Sequence, residues 1–417
     1  MGQTRKVLLI GANGFGKQHL NELIRQQDEG VLELAAVSDL RLSEEAAAVV
    51  GERGIRFYTD YREMLAKEKD ASFVVISTPI QLHARMGIEA MEAGYHVLLE
   101  KPPAAVIQDA QRIADMAKKC GKLCAVNFFT PSRRALSMLT GIASSGEIGE
   151  VKAIKGISLL HRSASYFTRT PWAGKLSVQG VTVLDGTFHN PAAHLFYSMI
   201  NISERLSEQA GRSGNLTSVT AELYRANPIE SDDTSCVRLV TEGGLSLHLY
   251  ITVCARQGQT QPQRIRLEGS EGAVEWSYDN KVTLWKGADS VVYDCHDENF
   301  MAMRYRNLID VMGGREQKLD VSIESAIRFT VAANGAFESS GVVHSIPQMH
   351  TRSDMNQGKS ALYVEGIEQT LLAAFREGKL LSELGDVPWA KRTESFGLSG
   401  YSSFPQRFNL GQKASTQ

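Results

Sequence analysis

At 417 residues, 43% hydrophobic and 22% charged with a formal net charge of −2, the chain has the composition of a globular protein with room for two cores. That near-neutral balance offers no electrostatic handle to nucleic acid or to an anionic membrane, so neither is expected as a partner. Five scattered cysteines (Cys120, Cys124, Cys236, Cys254, Cys295) show no metal-type clustering and read as buried free thiols of a reducing cytosol.

The amino-terminal apolar run Val7–Ile10 is too short for a secretion signal and reads as a first strand of a cytoplasmic protein. Through about residue 130, short aliphatic runs alternate with helical patterns, the signature of a parallel sheet covered on both faces. The expected strands are Val7–Ile10, Leu32–Val37, Ile55–Tyr58, Phe73–Ser77, His96–Leu99 and Leu123–Val126. Leu20, Leu23 and Ile24 mark one apolar face of the first helix. Ser43 caps the second, with Gly51 at its end, and Gly94 and Gly121 close two later helices.

After about Arg134 the pattern becomes strand-rich. Ser235–Thr241 and Leu245–Val253 flank a Glu242-Gly243-Gly244 hairpin turn. Ile265–Leu267, Ala273–Trp276, Val282–Trp285 and Val291–Tyr293 follow at short spacing, with Asp279-Asn280 as a turn, which predicts a large, mostly antiparallel open sheet. Helices are expected at Leu184–Met199, Asn299–Met312, Ser322–Ser339 and Ser360–Arg376, and Ser395 onward reads as a loosely held tail. The fold class is therefore α/β, with a parallel-sheet amino-terminal domain and an α+β carboxy-terminal domain. The boundaries fall at 1–130, 131–345 and a helical extension and tail at 346–417.

Chemistry enters first at Gly11-Ala12-Asn13-Gly14-Phe15-Gly16, between a strand and a helix. A dinucleotide pyrophosphate needs such a side-chain-free turn at a helix amino terminus. Asn13 stands where a second glycine is usual, and tolerates a left-handed backbone better than most side chains. A plain strand-to-helix turn would use the same glycines, so the loop gains weight only beside Asp39, placed to accept from both ribose hydroxyls. Asp39 favours NAD; Arg41 close by could hold a 2′-phosphate, which keeps NADP open. No metal-ligating spacing occurs.

The sharper signal is Thr78-Pro79, then His83, then Gly94 and Glu100-Lys101-Pro102, at the carboxyl ends of successive strands where such sheets bind ligands. Proline restrains the backbone of the lysine before it. This constellation resembles the glucose–fructose oxidoreductase / inositol dehydrogenase (Gfo/Idh/MocA) family, closely over the first domain and more loosely to about residue 345. The resemblance implies a Rossmann domain whose NAD contacts come from Gly11, Asn13, Gly14, Phe15, Gly16, Asp39, Arg41, Thr78, Pro79, His83, Glu100 and Lys101. It implies a catalytic lysine at Lys101. Asp185-Gly186-Thr187-Phe188-His189 is similar to the family's Asp-x-Gly-x-His, with Thr187 in place of glycine and Ala192 where an aspartate often lies. On that pattern Asp185 and His189 complete a Lys/Asp/His site, and His194 is the second choice of histidine. Arg169, Trp172, Asn190 and His194 are candidate substrate contacts along with Lys101, in a polar-aromatic stretch that also holds Tyr166 and Lys175.

The expected activity is hydride transfer between a nicotinamide cofactor and a secondary alcohol or ketone of a sugar, cyclitol or sugar derivative. A cofactor-sensing regulator and an NAD-assisted glycoside-cleaving enzyme are the alternatives. The broad second sheet needs both faces covered, and a homodimer or homotetramer built through it is expected, as in the family resembled.

Overall fold

The computed structural model describes residues 5–296, 299–356 and 359–411. The chain forms two compact units, 1–128 with 298–327 and 129–297 with 328–417, so residues 346–417 belong to the second unit.

In the first unit, β1 (Arg5–Ile10), α1 (Gly16–Asp28), β2 (Leu32–Ser38), α2 (Glu44–Glu52), β3 (Arg56–Tyr58), α3 (Tyr61–Lys67), β4 (Phe73–Ile76), α4 (Ile80–Glu92), β5 (His96–Leu99), α5 (Ile107–Cys120) and β6 (Cys124–Val126) alternate as expected. The six strands are parallel in the order β3-β2-β1-β4-β5-β6. Their aliphatic runs are buried throughout β4, as a sheet sandwiched between helices requires. The order reverses between β1 and β4, which opens a crevice at the carboxyl edge. Ser43 accepts the Ala46 N–H at the start of α2 as expected. The helix runs through Gly51, however, and the left-handed glycine is Gly54 (φ +63°). Helix formers on both sides of Gly51 let it stay in the helix, while the reversal into β3 requires positive φ three residues later.

The second unit begins with α6 (Arg133–Ser144) and β7 (Val151–Leu159), followed by a two-stranded ribbon of β8 (Ser177–Val178) and β9 (Val181–Thr182) and by α7 (Ala193–Gln209). Next come β10 (Leu216–Arg225), β11 (Thr234–Thr241), β12 (Ser246–Thr252), β13 (Gln261–Gly269), β14 (Ala273–Ser277), β15 (Lys281–Lys286) and β16 (Asp289–Asp294). Helix α8 (Phe300–Met312) returns to the first unit, and α9 (Ile323–Ser340) spans the end of that segment and the resumption of the second unit. The remainder comprises β17 (His344–Ser345), the hairpin β18 (Thr351–Asn356) and β19 (Lys359–Val364), α10 (Ile367–Glu377), α11 (Leu381–Leu384) and β20 (Phe396–Gly397). Ten strands form one sheet in the order β16-β15-β14-β13-β7-β12-β11-β10-β17, with β20 added on β10. Pairing is antiparallel except at β7–β12 and β10–β17. Gly244 (φ +80°) and Asn280 (φ +55°) occupy the expected turns.

Three sequence expectations fail here. The helix expected at Leu184–Met199 starts only at Ala193, because residues 185–192 form a tight turn. Ser360–Arg376 divides into strand β19 and helix α10 at Gly366 (φ +72°); the apolar run Ala361-Leu362-Tyr363-Val364 carries no period long enough to separate strand from helix. The segment from Ser395 to residue 411 is firmly held, while residues 412–417 lie outside the described residues. Phe396, Leu398, Tyr401, Phe404 and Phe408 are all buried. Leu398 settles against Gly335 of α9, where an added Cβ would stand 2.4 Å from its Cδ2. Glu338, 1% exposed, accepts from the N–H groups of Gln406, Arg407 and Phe408 and from the Tyr401 hydroxyl.

The two faces of the large sheet are covered differently. Gly156 meets Met199 of α7, whereas its neighbours Ile157 and Leu159 point the other way into a core with Leu371, Phe375, Leu381 and Trp389. Over β7, β10, β11 and β12 that second face is therefore covered by the chain's own α10–α11 segment, the face for which the sequence suggested another subunit.

Replacing Glu338 with alanine leaves three main-chain N–H groups and one hydroxyl without their acceptor. An expected loss of about 2–4 kcal/mol should appear as a lower unfolding midpoint in denaturant, with new proteolytic cleavage within 395–411.

Candidate active site

The glycine turn lies at the crevice between β1 and β4. The Gly11 N–H bonds the Ser38 carbonyl and the Ser77 N–H bonds the Ile10 carbonyl, pinning the turn between two strand ends. Gly11 has φ +86°, and a Cβ there would stand 2.2 Å from the Ser77 carbonyl oxygen; at Gly16 it would stand 2.0 Å from the Gly11 oxygen. Gly14 (φ +57°) supplies the remaining left-handed residue. Asn13 is not left-handed; its side chain does the work instead. Its Nδ2 donates to Asp39 Oδ2 (3.1 Å) and to the Arg41 carbonyl (2.7 Å), and its Oδ1 accepts from the Ser43 N–H (3.0 Å). Asp39 Oδ2 also takes the Ala12 N–H (2.9 Å), which leaves Oδ1 without a protein donor among the described residues. Helix α1 begins at Phe15 with no side-chain cap, as an anion-binding helix start requires. Phe15 and Leu40 are exposed (45% and 89%), offering apolar surface beside the ribose acid. The turn thus fits a dinucleotide: close backbone approach, an uncapped helix start and a carboxylate oxygen to spare.

At the neighbouring strand ends, His83 is buried and its ring spans two loops, with Nδ1 2.9 Å from the Pro102 carbonyl and Nε2 2.8 Å from that of Thr78. The ring is a clasp between Thr78-Pro79 and Lys101-Pro102 that donates to one of the two carbonyls when neutral and to both when protonated; burial lowers its pKa against the raising effect of those carbonyls. The Thr78 hydroxyl points at Met86 Sδ (3.5 Å). Glu100 is buried and fully engaged: Oε1 meets His19 Nε2 (2.9 Å) and Asn127 Nδ2 (2.5 Å), and Oε2 accepts the Lys101 N–H (3.0 Å). His19 Nδ1 lies 2.6 Å from the Tyr305 hydroxyl. Burial works to raise the Glu100 pKa, but donation from His19 and Asn127 and the Lys101 ammonium outweigh it and hold the carboxyl below its usual range. No sequence motif marks Asn127 or Tyr305. The one available signal was a histidine on the apolar face of α1.

In the second unit, Asp185 follows Leu184, a buried non-glycine residue at φ +50°. Such strain persists only where the surroundings impose it. Asp185 Oδ2 accepts from the Gly174 N–H (2.8 Å) and Arg169 (3.3 Å), and Oδ1 from Asn190 Nδ2 (2.9 Å). Thr187, the departure from the family's glycine, donates its N–H (3.0 Å) and hydroxyl (2.5 Å) to Asp232 Oδ2. Asp232 in turn crowds Gly186, where a Cβ would stand 1.8 Å from its Oδ1. Asp232 is thus the anchor of this turn, and nothing in its sequence context announced it. His189 is buried among Phe188, Phe329 and Phe337, with ring centroids 5.4–5.9 Å away, and Phe337 is itself backed by Phe408 at 4.9 Å. His194 stacks on Phe129 (4.2 Å), and its Nδ1 accepts the Phe129 N–H (3.0 Å), so the other nitrogen carries the proton in the neutral ring. The Arg169 guanidinium lies 3.8 Å over the Tyr166 ring and 5.4 Å from that of Trp172, and Lys175 pairs with Glu230 (2.8 Å). Asp185 therefore gathers Arg169 and Asn190 beside an aromatic platform, an arrangement suited to a hydroxylated ring.

Residues 5–128 match the model of an oxidoreductase family with an NAD-binding Rossmann fold, and residues 138–275 match the GFO/IDH/MocA carboxy-terminal domain. The chain is 35% identical over 133 residues to 4-carboxy-2-hydroxymuconate-6-semialdehyde dehydrogenase of Sphingobium sp., covering 31% of this chain and 41% of that protein. It is 30% identical over 156 residues to inositol 2-dehydrogenase of Salmonella typhimurium, covering 37% and 45%. The matches thus span less than half of these curated relatives. The WlbA dehydrogenase of Bordetella pertussis, solved with NADH and UDP-GlcNAcA, has the same fold, with a TM-score of 0.67 at 23% identity over 81% of this chain and 97% of that one.

Asn13→Ala should weaken NADH binding about tenfold, because Asp39 loses one donor and the two loops lose their tie. A fluorescence titration of bound NADH checks this. For Glu100 the linkage has a definite sign. A carboxyl depressed in the folded state stabilises above its unfolded pKa, and that stability is lost as pH falls through the folded value. Glu100→Gln should therefore flatten the acid side of the stability–pH curve, measured by thermal unfolding.

Proposed function

The chain belongs to the Gfo/Idh/MocA family of NAD-binding oxidoreductases, and from that premise we propose that it interconverts a secondary alcohol and ketone on a sugar, cyclitol or sugar derivative. The observation that carries this reading is Glu100-Lys101-Pro102, fixed by the His83 clasp at the carboxyl end of β5 in the sheet that holds the glycine turn. A bound nicotinamide dinucleotide supplies the hydride acceptor or donor. The acid at Asp39, with one oxygen to spare for a ribose hydroxyl, favours NAD over its phosphorylated form.

On this reading the protein's own part is to move one proton and to stabilise one oxygen. Lys101 donates a hydrogen bond to the reacting oxygen and offsets negative charge developing there. His189 takes the alcohol's proton in oxidation and returns it in reduction. The phenylalanines around its ring exclude water from that exchange. Asp185 holds Arg169 and Asn190 where they meet substrate hydroxyls, and Tyr166 and Trp172 offer apolar ring faces. A homo-oligomer remains part of the proposal, formed through surface other than that occupied by α10–α11.

A panel of sugars, cyclitols and their keto forms, run separately with NAD and NADP while NADH-type absorbance is followed, tests the class. Turnover confined to compounds without a secondary alcohol or its ketone would refute it. Lys101→Ala is expected to lower kcat at least about a hundredfold while NADH still binds. Near-normal turnover in that variant would remove the lysine from the mechanism.

A further inference from the structure

Glu100 does more in this fold than precede a lysine. It is a buried carboxylate (6% exposed) with a complete set of donors drawn from three parts of the first unit. His19 comes from the first turn of α1, Asn127 from the residue after β6, and the Lys101 N–H from the strand end itself. Behind His19 stands Tyr305 of α8, 1% exposed, its hydroxyl 2.6 Å from Nδ1. One protonation pattern satisfies every member. Tyr305 donates to Nδ1, and the proton on Nε2 is donated to Glu100, which stays ionised. His19 also links forward to the glycine turn, because Phe15 packs edge-on against its ring at 5.8 Å.

We propose that Tyr305, His19 and Glu100 form a buried positioning relay that holds Lys101 in its charged form. This rests on the reading of Lys101 as the group that meets the reacting oxygen. The physical cause is short: a permanent negative charge one residue away favours the ammonium, and three donors keep that charge from drifting or taking up a proton. The charged and titratable groups facing Glu100 are His19 from α1, His83 from α4 and Lys101 itself, while Glu22 of α1 faces Tyr305. Glu22 is neutralised by Arg25 at 2.7 Å, so Glu100 is the carboxylate that acts on the lysine from within this network. None of the three relay residues needs to touch substrate or cofactor.

The test reads the lysine directly. Limiting trinitrobenzenesulfonate is reacted with the full chain across about pH 7 to 11, and labelling of the Lys101 peptide is quantified by mass spectrometry. In Glu100→Gln the labelling midpoint is expected to fall by about one unit, because removing the carboxylate withdraws its support for the ammonium. Tyr305→Phe should shift it the same way by less, and carries the test if Glu100→Gln does not fold. In turnover assays the alkaline limb of the kcat profile should move down with the labelling midpoint, and the KM for NAD should stay within about threefold, since the glycine turn keeps its own anchors. An unchanged Lys101 labelling midpoint in folded Glu100→Gln and Tyr305→Phe overturns the relay. A shifted midpoint in a protein that turns over nothing in the panel leaves the relay standing and overturns the proposed function instead.

Discussion

The first unit depends on one close approach, that of the Gly11 backbone to the Ser77 carbonyl at the ends of β1 and β4. A Cβ would not fit, so the two strand ends can sit side by side with their loops turned outward. Everything proposed for this unit radiates from that contact. The glycine turn follows Gly11, Asp39 reaches back to the Ala12 N–H, and the Thr78 loop beyond Ser77 is clasped by His83 to Lys101-Pro102. A dinucleotide site and a lysine site are thereby built from the same few ångströms of main chain.

The second unit solves a different problem. Its sheet has two apolar faces to cover, and the turn at residues 185–192 has to be held in place. Helix α7 covers one face, and the chain's own α10–α11 segment covers much of the other. The turn is held by Asp232 from β11's approach, through Thr187 and the space left by Gly186. The carboxy-terminal strap is part of the same construction, since Phe408 backs Phe337, which packs on His189. A residue more than two hundred positions from the histidine helps set its surroundings.

The first sheet was legible because its aliphatic runs alternate with helical patterns and are punctuated by glycine, and its six strands fall within a residue or two of expectation. The second sheet was legible in its hairpins, where Gly244 and Asn280 carry the turn geometry themselves. Where reading failed, the deciding interaction was distant in sequence. The segment from Ser395 onward looks polar and loose because its five buried aromatic and aliphatic anchors are spaced irregularly, and Glu338, which accepts from the Tyr401 hydroxyl and from its main-chain N–H groups, lies some 60–70 residues upstream. The glycine pattern presents Asn13 as a backbone substitute for glycine, whereas it serves through its side chain by bonds to residues about 30 positions away. Lys101, Asp185 and His189 stand out as motif positions; His19 and Tyr305 behind Glu100, and Asp232 behind Thr187, do not, because a hydrogen-bond partner leaves no local period.

The separation of His19 and Tyr305 by 286 positions bears on how the molecule is made. During synthesis the six-stranded sheet emerges first, yet the buried face of α1 stays open until α8 has been translated, after the strands of the other unit. At ordinary elongation rates that interval lasts about 10 to 60 seconds, during which a histidine and a carboxylate meant for the interior stand in water. Folding of the nucleotide-binding unit is therefore gated by the far side of an insertion, and a nascent chain stopped before residue 300 would expose an unclosed core to chaperones and proteases.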